Sequence, residues 1–468
     1  MGLTAERAAL IVEKLAKQIR DRNVVLASWE DYFNGKHRLE FASTEWRKFH
    51  ADRFQNFSDN WCGVVGRAAA ERRELHGLRL GDDVEVQSPD ERALWDVWES
   101  VDGPAKSAAG WLSTTYLSTS YSMVWADSDN RPTLSWESPF EVIVDYDPET
   151  AQPRYALKLW SDDDRDNATL YTADEVWKWS RPRSSLILPS AWNSLAGGWM
   201  LREGTQAPVI PNPLGMLPIV EHPNRPQLTR GPISDIAGVV PMQNAVNLMW
   251  AYLFGAADFA GLPARVITGQ APPEMPILDA NGQQIGTQPV SEEILKQGRL
   301  LWLTGQNSKI AQFEASKLDV FTAVVNVAVK HVMAQTQTPI HYIMGELGNV
   351  NGETLTAIEL PLATKVRAGN KALTRPVREI FRRFAVVLGD LALADQCRVA
   401  IAQWKNPETM SDAQVSDAAS KDKTIGWPFA AILERRYNLS QPEIARIQAM
   451  AEMDPELSLA RELANGSV

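Results

Sequence analysis

The chain holds almost no cysteine and none of the compact motifs that seat a reaction. Cys62 and Cys397 are the only two in 468 residues. That is too few for a disulfide framework, so both are expected as separate reduced core thiols. No GxxxxGK phosphate loop, GxGxxG turn, HExxH helix or GxSxG elbow occurs, which removes the usual seats for nucleotides, dinucleotides, zinc or a serine nucleophile. The six histidines, at 37, 50, 76, 222, 331 and 341, stand in unlike contexts, none four residues from another. No catalytic residue, metal ligand or cofactor is expected, and the chain reads as not an enzyme.

Basic charge is also short. Lys and Arg total 47 against 58 Asp and Glu, a formal charge of -11, so a broad basic face that grips nucleic acid is excluded and any DNA contact is local or fleeting. The start, MGLTAERAALIVEKLAKQIRDR, carries charges throughout and lacks the apolar core of a secretory signal. Glu6 stands where a myristoylation motif wants Ser or Thr. Leu248 to Ala257 contains no charge, yet a bilayer needs about 20 apolar residues, so no membrane partner is expected.

What is present is ordinary globular material, 44% hydrophobic and 22% charged, long enough for more than one substructure. Ile11, Leu15, Ile19, Leu26, Trp29 and Phe33 share one face of a long helix that ends at Asn34-Gly35. A second helix is expected from Asp59 or Asn60, closing near Gly77 before a strand. Short β-branched or alternating runs (TLSW, FEVIVDY, RYALKLW, EVWKW) make Tyr121 to Val220 mainly β. The acidic stretch SDDDRDN (161–167) lacks calcium-ligand spacing and DSDN (127–130) lacks the glycine a calcium loop needs at its sixth position, so both read as solvated hairpin tips.

Because Leu248 to Ala257 is apolar on every side, that helix must be covered all round by other protein. Gly261 to Glu314 is rich in Pro and Gly around short strands, a small mixed domain set between two helices. Ser316-x-x-Asp319 opens the return helix carrying Leu318, Phe321, Val325, Ala328 and Val332. Gln335 to Gly352 reads as an exposed loop, Thr354 to Leu393 as a long helix interrupted or kinked at Pro361 and Pro376, and Trp404 to Val468 as helical and polar. On the long helix, Arg367, Lys371, Arg375, Arg378 and Arg382 form a cationic stripe opposite Val366, Leu373, Val377, Ile380 and Phe384. A solvated face, salt bridges to an acidic neighbouring subunit and contact with phosphates are three readings of that stripe.

Seventeen tryptophans, thirteen before residue 200, also admit a monomeric carbohydrate-binding or carbohydrate-active protein using Trp177 and Trp179 on one strand face. Core packing is the other reading of the same residues.

Several motifs, in order, resemble those of portal proteins of tailed double-stranded DNA bacteriophages, of the type common in siphophages. The run DYFNGKH from Asp31 to His37 is similar to the turn after that family's first helix, and Asn60-Trp-Cys62 with Ala70-Glu-Arg72 resembles the next helix. Ser138-Pro139 with Val142 to Pro148, and Leu217 to Val220 with Asn224-Arg-Pro226, resemble the strand and the approach to the stem that follow.

The resemblance implies an α+β portal fold in a cyclic oligomer of about twelve copies, mainly helical with a β-rich wing and a small mixed clip. Residues 1–230 would be the wing, 231–261 the first stem helix, 262–315 the clip and 316–334 the second stem helix. The tunnel loop would follow at 335–352, then the long kinked helix and wing return at 353–403 and a helical crown at 404–468. It implies a channel at one capsid vertex for genome packaging, retention and ejection, built in the host cytoplasm and carried in the virion. Partners would be double-stranded DNA, a terminase that hydrolyses ATP, a head-tail adaptor, and the major capsid and scaffolding proteins.

Carried onto this chain, Met344, Glu346, Asn349 and Asn351 are the tunnel-loop candidates, and Lys365, Arg367 and Lys371 the candidates for a basic ring in the lumen. Leu248, Met249, Trp250, Leu253, Phe254, Phe321 and Val325 are the candidates for stem packing between subunits.

Overall fold

The computed structural model describes residues 3–37, 58–81, 88–183, 196–202, 204, 207–229, 231–261, 265–268, 274–280, 282–290, 300–303, 309–312, 317–339, 341, 352–408 and 410–453. The chain divides into two units. One comprises Met1–Gly35, Asn60–Val240 and Met333–Val468, the other Lys36–Asp59 and Pro241–Val332.

The first unit opens with helix α1 (Ala5–Phe33), whose Thr4 cap accepts from the Arg7 amide and whose end is turned by Asn34 and the left-handed Gly35, φ 77°. Its stripe of Leu15, Ile19 and Leu26 is buried as the spacing predicts. Asn60 caps α2 (Trp61–Ala70) through the Gly63 amide. This helix ends seven residues short of Gly77, which instead lies inside β1 (Leu75–Arg79). A side chain at Gly77 would strike Gln403 and Gln441, so the glycine serves close packing of the strand, not a helix end.

Ser88 and Glu91 form a capping box that starts α3 (Pro89–Ser100), followed by α4 (Gly103–Leu117). Strands β2 (Thr119–Ala126) and β3 (Pro132–Glu137) form a hairpin. An antiparallel meander then runs through β4 (Val142–Tyr146), β5 (Pro153–Ser161), β6 (Arg165–Tyr171), β7 (Glu175–Pro182) and β8 (Met200–Leu201), with β9 (Val209–Pro211) also on β7. Strand β10 (Ile219–Pro223) returns to the free edge of β2.

Both acidic stretches are hairpin tips. The Asp127 amide donates to Arg131 O and the Asp162 amide to Arg165 O. Trp177 and Trp179 do share a face, their rings 6.1 Å apart and nearly parallel, but that face is covered by Ala8, Val12, Leu15 and Ile19 of α1. Buried rings offer no sugar platform, and the carbohydrate reading falls on this point.

In the second unit α5 (Val240–Gly261) leads to β11 (Arg265–Thr268), the hairpin β12 (Glu274–Leu278) and β13 (Gln284–Pro289), β14 (Leu300–Leu303), β15 (Lys309–Gln312) and α6 (Asp319–Thr336). Strand β11 runs parallel to β14 and antiparallel to β15, a small mixed sheet. The first helix begins nine residues later than Gly231. The Ser234 hydroxyl donates to Tyr116 O and the Asp235 amide to Thr115 O, so this stretch is held by the end of α4 instead of coiling.

Back in the first unit, α7 (Gly352–Val387) continues through both Pro361 and Pro376 instead of stopping at either. Leu373, Val377, Ile380, Phe381 and Phe384 pack it against Leu94, Trp98 and Trp111, a burial large enough to outweigh two missing backbone donors. After α8 (Leu391–Gln396) comes β16 (Ile401–Trp404), paired antiparallel with β1 so that Ala402 faces Leu78. Helices α9 (Asp412–Thr424), α10 (Phe429–Tyr437) and α11 (Gln441–Met453) complete the described chain. Cys62 and Cys397 are separate free thiols, each pushed up to about 12 by burial.

Candidate functional site

Helix α5 combines an apolar middle with an amide-rich first half. Leu248 and Ala251 are buried, while Met249, Trp250, Leu253 and Phe254 are half-exposed. Gln243, Asn244 and Asn247 are buried too, and buried amides need partners. Gln243 Nε2 donates to Asp59 O at 2.5 Å and to Asn247 Oδ1 at 3.0 Å, Asn247 Nδ2 meets His37 Nδ1 at 2.8 Å, and Trp250 Nε1 donates to Asp59 Oδ2 at 2.9 Å. The helix is thus anchored by hydrogen bonds near its start. Hydropathy alone does not reveal this, but three amides at i, i+1 and i+4 on an otherwise apolar helix are a visible signal. On α6, Val325, Val329, Val332 and Met333 are buried, Phe321 is half-buried, and Val320, Val324 and Val327 are exposed.

Lys365 does not belong to an exposed basic set. Its ammonium lies 2.7 Å from Asp235 Oδ2 and donates to Thr336 O at 3.1 Å, with its side chain 8% exposed and that of Asp235 0%. The same carboxylate accepts from Asn224 Nδ2 at 2.9 Å, which gives the Asn224-Arg225-Pro226 motif a structural task. Burial pushes the Asp235 carboxyl up, and Lys365 more than reverses this, with Asn224 and Arg73 adding to it, so its pKa lies below the usual carboxylate range. One lysine therefore ties the residues just before α5 to those ending α6.

The rest of the stripe on α7 divides by partner. Arg367 pairs with Glu408 at 2.6 Å, Arg382 lies 3.5 Å from Glu379, and Arg378 donates to Ala400 O. Lys371 and Arg375 are exposed. Val366, Leu373, Val377, Ile380 and Phe384 are all fully buried on the other side, as the pattern predicts. Arg367 and Lys371 open onto a cavity of about 560 Å³ shared with Trp404, Trp427, Arg435 and Arg436. Farther along the fold, Glu359 holds Arg72 at 3.0 Å and His341 at 3.3 Å. The tunnel-loop candidates Met344, Glu346, Asn349 and Asn351 lie outside the described residues. Among the described residues no group of three or more His, Cys, Asp or Glu could hold a metal ion, and no helix is long and apolar enough to cross a membrane.

A family model described as "Phage portal protein, SPP1 Gp6-like" covers residues 73–456. This chain belongs to that portal family. The portal protein of Mycobacterium phage D29 is 26% identical over 374 residues, covering 75% of this chain and 70% of that protein. The portal protein of Mycobacterium phage L5 is 24% identical over 438 residues, covering 89% and 82% respectively. The chain is accordingly a phage portal protein, a structural component of the virion with an α+β fold.

Proposed function

We propose that about twelve copies of this portal chain close into a ring at one capsid vertex. The ring would conduct DNA inward during packaging, hold it, and release it at ejection. The observation that carries the reading is the apolar stripe of α6. Val320, Val324 and Val327, at i, i+4 and i+7, are 59, 46 and 55% exposed. Covering such half-exposed valines contributes about 1 kcal/mol each, and a head-to-tail interface repeated until the rotation closes supplies the cover for every copy.

On this reading 231–261 and 316–334 form the stem, 262–315 the clip, 335–352 the tunnel loop and 404–468 the crown, with the wing made by 1–230 and the return at 353–403. Met249, Trp250, Leu253 and Phe254 would add to the stem contacts along with Phe321. Met344, Glu346, Asn349 and Asn351 would meet the passing duplex. An acidic chain suits that passage, because each neutralised phosphate strengthens adhesion through counterion release. A terminase would supply ATP hydrolysis at the clip, a head-tail adaptor would dock there later, and capsid and scaffolding proteins would surround the wing. Assembly would take place in the host cytoplasm.

Native mass measurement tests the ring. Twelve copies of a 52.0 kDa chain give about 624 kDa. A particle that stays at 52.0 kDa at high concentration, with no annular views by electron microscopy, refutes it.

A further inference from the structure

The cavity between α7 and the C-terminal helices is cationic on an acidic chain. Arg367, Lys371, Lys405, Arg435 and Arg436 line its wall, opposed in that wall only by Glu434. Three of the five are neutralised from outside it, Arg367 by Glu408, Lys405 by Glu74 at 2.7 Å and Arg436 by Asp422 at 2.6 Å. Two are left over. Among the described residues Lys371 has no ion pair, and the one partner of the Arg435 guanidinium is the Trp427 ring, its carbon 5.1 Å from the centroid. Asn370, 5% exposed in the same wall, has a side-chain oxygen without a hydrogen-bond partner among the described residues. A donor-bearing anion answers all three. A polypeptide offers carboxylates together with backbone N–H groups, whereas a phosphodiester backbone offers acceptors only.

The chain carries one run of three consecutive acids, Asp162-Asp163-Asp164. It forms the tip of the β5–β6 hairpin, narrowed by the Asp162 amide donating to Arg165 O at 2.8 Å. Asp162 accepts from Asn167 Nδ2, while the Asp163 and Asp164 carboxylates are exposed and make no side-chain contact among the described residues. Arg165 beside them offsets one charge. Two unneutralised cations and a hairpin tip that stays net negative thus sit at different places on one chain, as a head-to-tail contact requires.

Resting on the ring reading above, we propose that the acidic β5–β6 tip of one copy docks into the Lys371–Arg435 cavity of its neighbour, so that this pairing helps set the direction in which copies join.

The test is a charge-reversal cycle on full-length protein, read by sedimentation and native mass at 50 mM and 500 mM salt. Lys371→Glu with Arg435→Glu, and separately Asp163→Lys with Asp164→Lys, should each raise the concentration for half-assembly about tenfold at low salt. The four-fold variant should recover most of that loss, and 500 mM salt should shrink all the differences. Unchanged melting curves establish that the variants fold, and Lys371→Ala with Arg435→Ala repeats the test if reversal harms folding. Two reversed pairs that assemble like the parent overturn the proposal, as does a four-fold variant no better than its parts. Normal assembly with lost binding of a labelled DNA duplex also overturns it, assigning the cavity to phosphate. A parent chain that forms no ring sinks the ring reading itself, whereas a parent ring with uncoupled variants sinks only the pairing.

Discussion

Replacing Lys365 with Met isolates its buried ion pair with Asp235. The substitution keeps the volume of the stem and removes the ammonium 2.7 Å from Asp235, whose side chain has 0% exposure. Breaking a buried pair by removing one partner costs about 3–5 kcal/mol, because the remaining charge stays buried without its counterion. Asn224 at 2.9 Å and the more exposed Arg225 at 3.6 Å still face that carboxylate, which places the loss near the lower end, about 3 kcal/mol.

Urea unfolding followed by tryptophan fluorescence reads the loss, and hydrogen exchange should show 231–240 and 333–339 opening first, since Lys365 also holds Thr336 O. The acid response follows from the carboxyl's depressed pKa. Stability from Asp235 is fully present above the unfolded value of about 3.9 and is lost as pH falls through the lower folded value, so this acid-labile contribution should vanish in Lys365→Met. Adding Asp235→Leu should restore only part of the stability, because it removes the unpaired carboxylate but leaves the buried Arg73 guanidinium and Asn224 Nδ2 without the acid they face. A single-variant loss under about 1 kcal/mol would mean that water reaches the pair, and the argument from burial would fail.

His222 is stacked on Trp136 at 4.8 Å, bonded to Ser122 and fully buried, and burial with the nearby Arg383 pushes it down to about 3. Its ring resonances should not titrate above about pH 4, and the neutral ring's stabilisation should be lost progressively as pH falls from about 6.5 toward 3; a measured value near 6.5 refutes the burial. Gly110 packs so closely that an added Cβ would meet the Trp136 indole at 2.0 Å. Gly110→Ala should therefore destabilise the first unit by about 1–3 kcal/mol in thermal melts despite the better helix propensity of alanine, and a neutral or stabilising result contradicts that packing.

Periodic features of this fold were legible because each depends on neighbours in sequence. The Leu15, Ile19 and Leu26 stripe, the Asn34-Gly35 stop and the two hairpin tips need only local rules. The strand β16 was not legible, since four residues between helices carry little pattern and the partner β1 lies more than 300 residues upstream. Lys365 fails for the same reason. Nothing around it distinguishes an exposed lysine from a buried one, and its counterion Asp235 is 130 residues away. Trp177 and Trp179 were placed on one face by simple alternation, but only the docking of α1 decides that this face is core. Proline's missing donor predicts an interruption or a kink at 361 and 376, and of the two the interruption is excluded, because α7 runs on through both positions.

The pairing of β1 with β16 also bears on how the chain is made. Strand β1 presents an open edge as soon as residue 79 clears the ribosome, and the segment that closes it has not yet been synthesised. At roughly 5–20 residues per second, some 15 to 65 seconds pass before Ile401–Trp404 arrive. Throughout that interval the nascent polypeptide carries an unfilled template for foreign strands. Chains cut short before this point should therefore keep this edge of β1 unpaired.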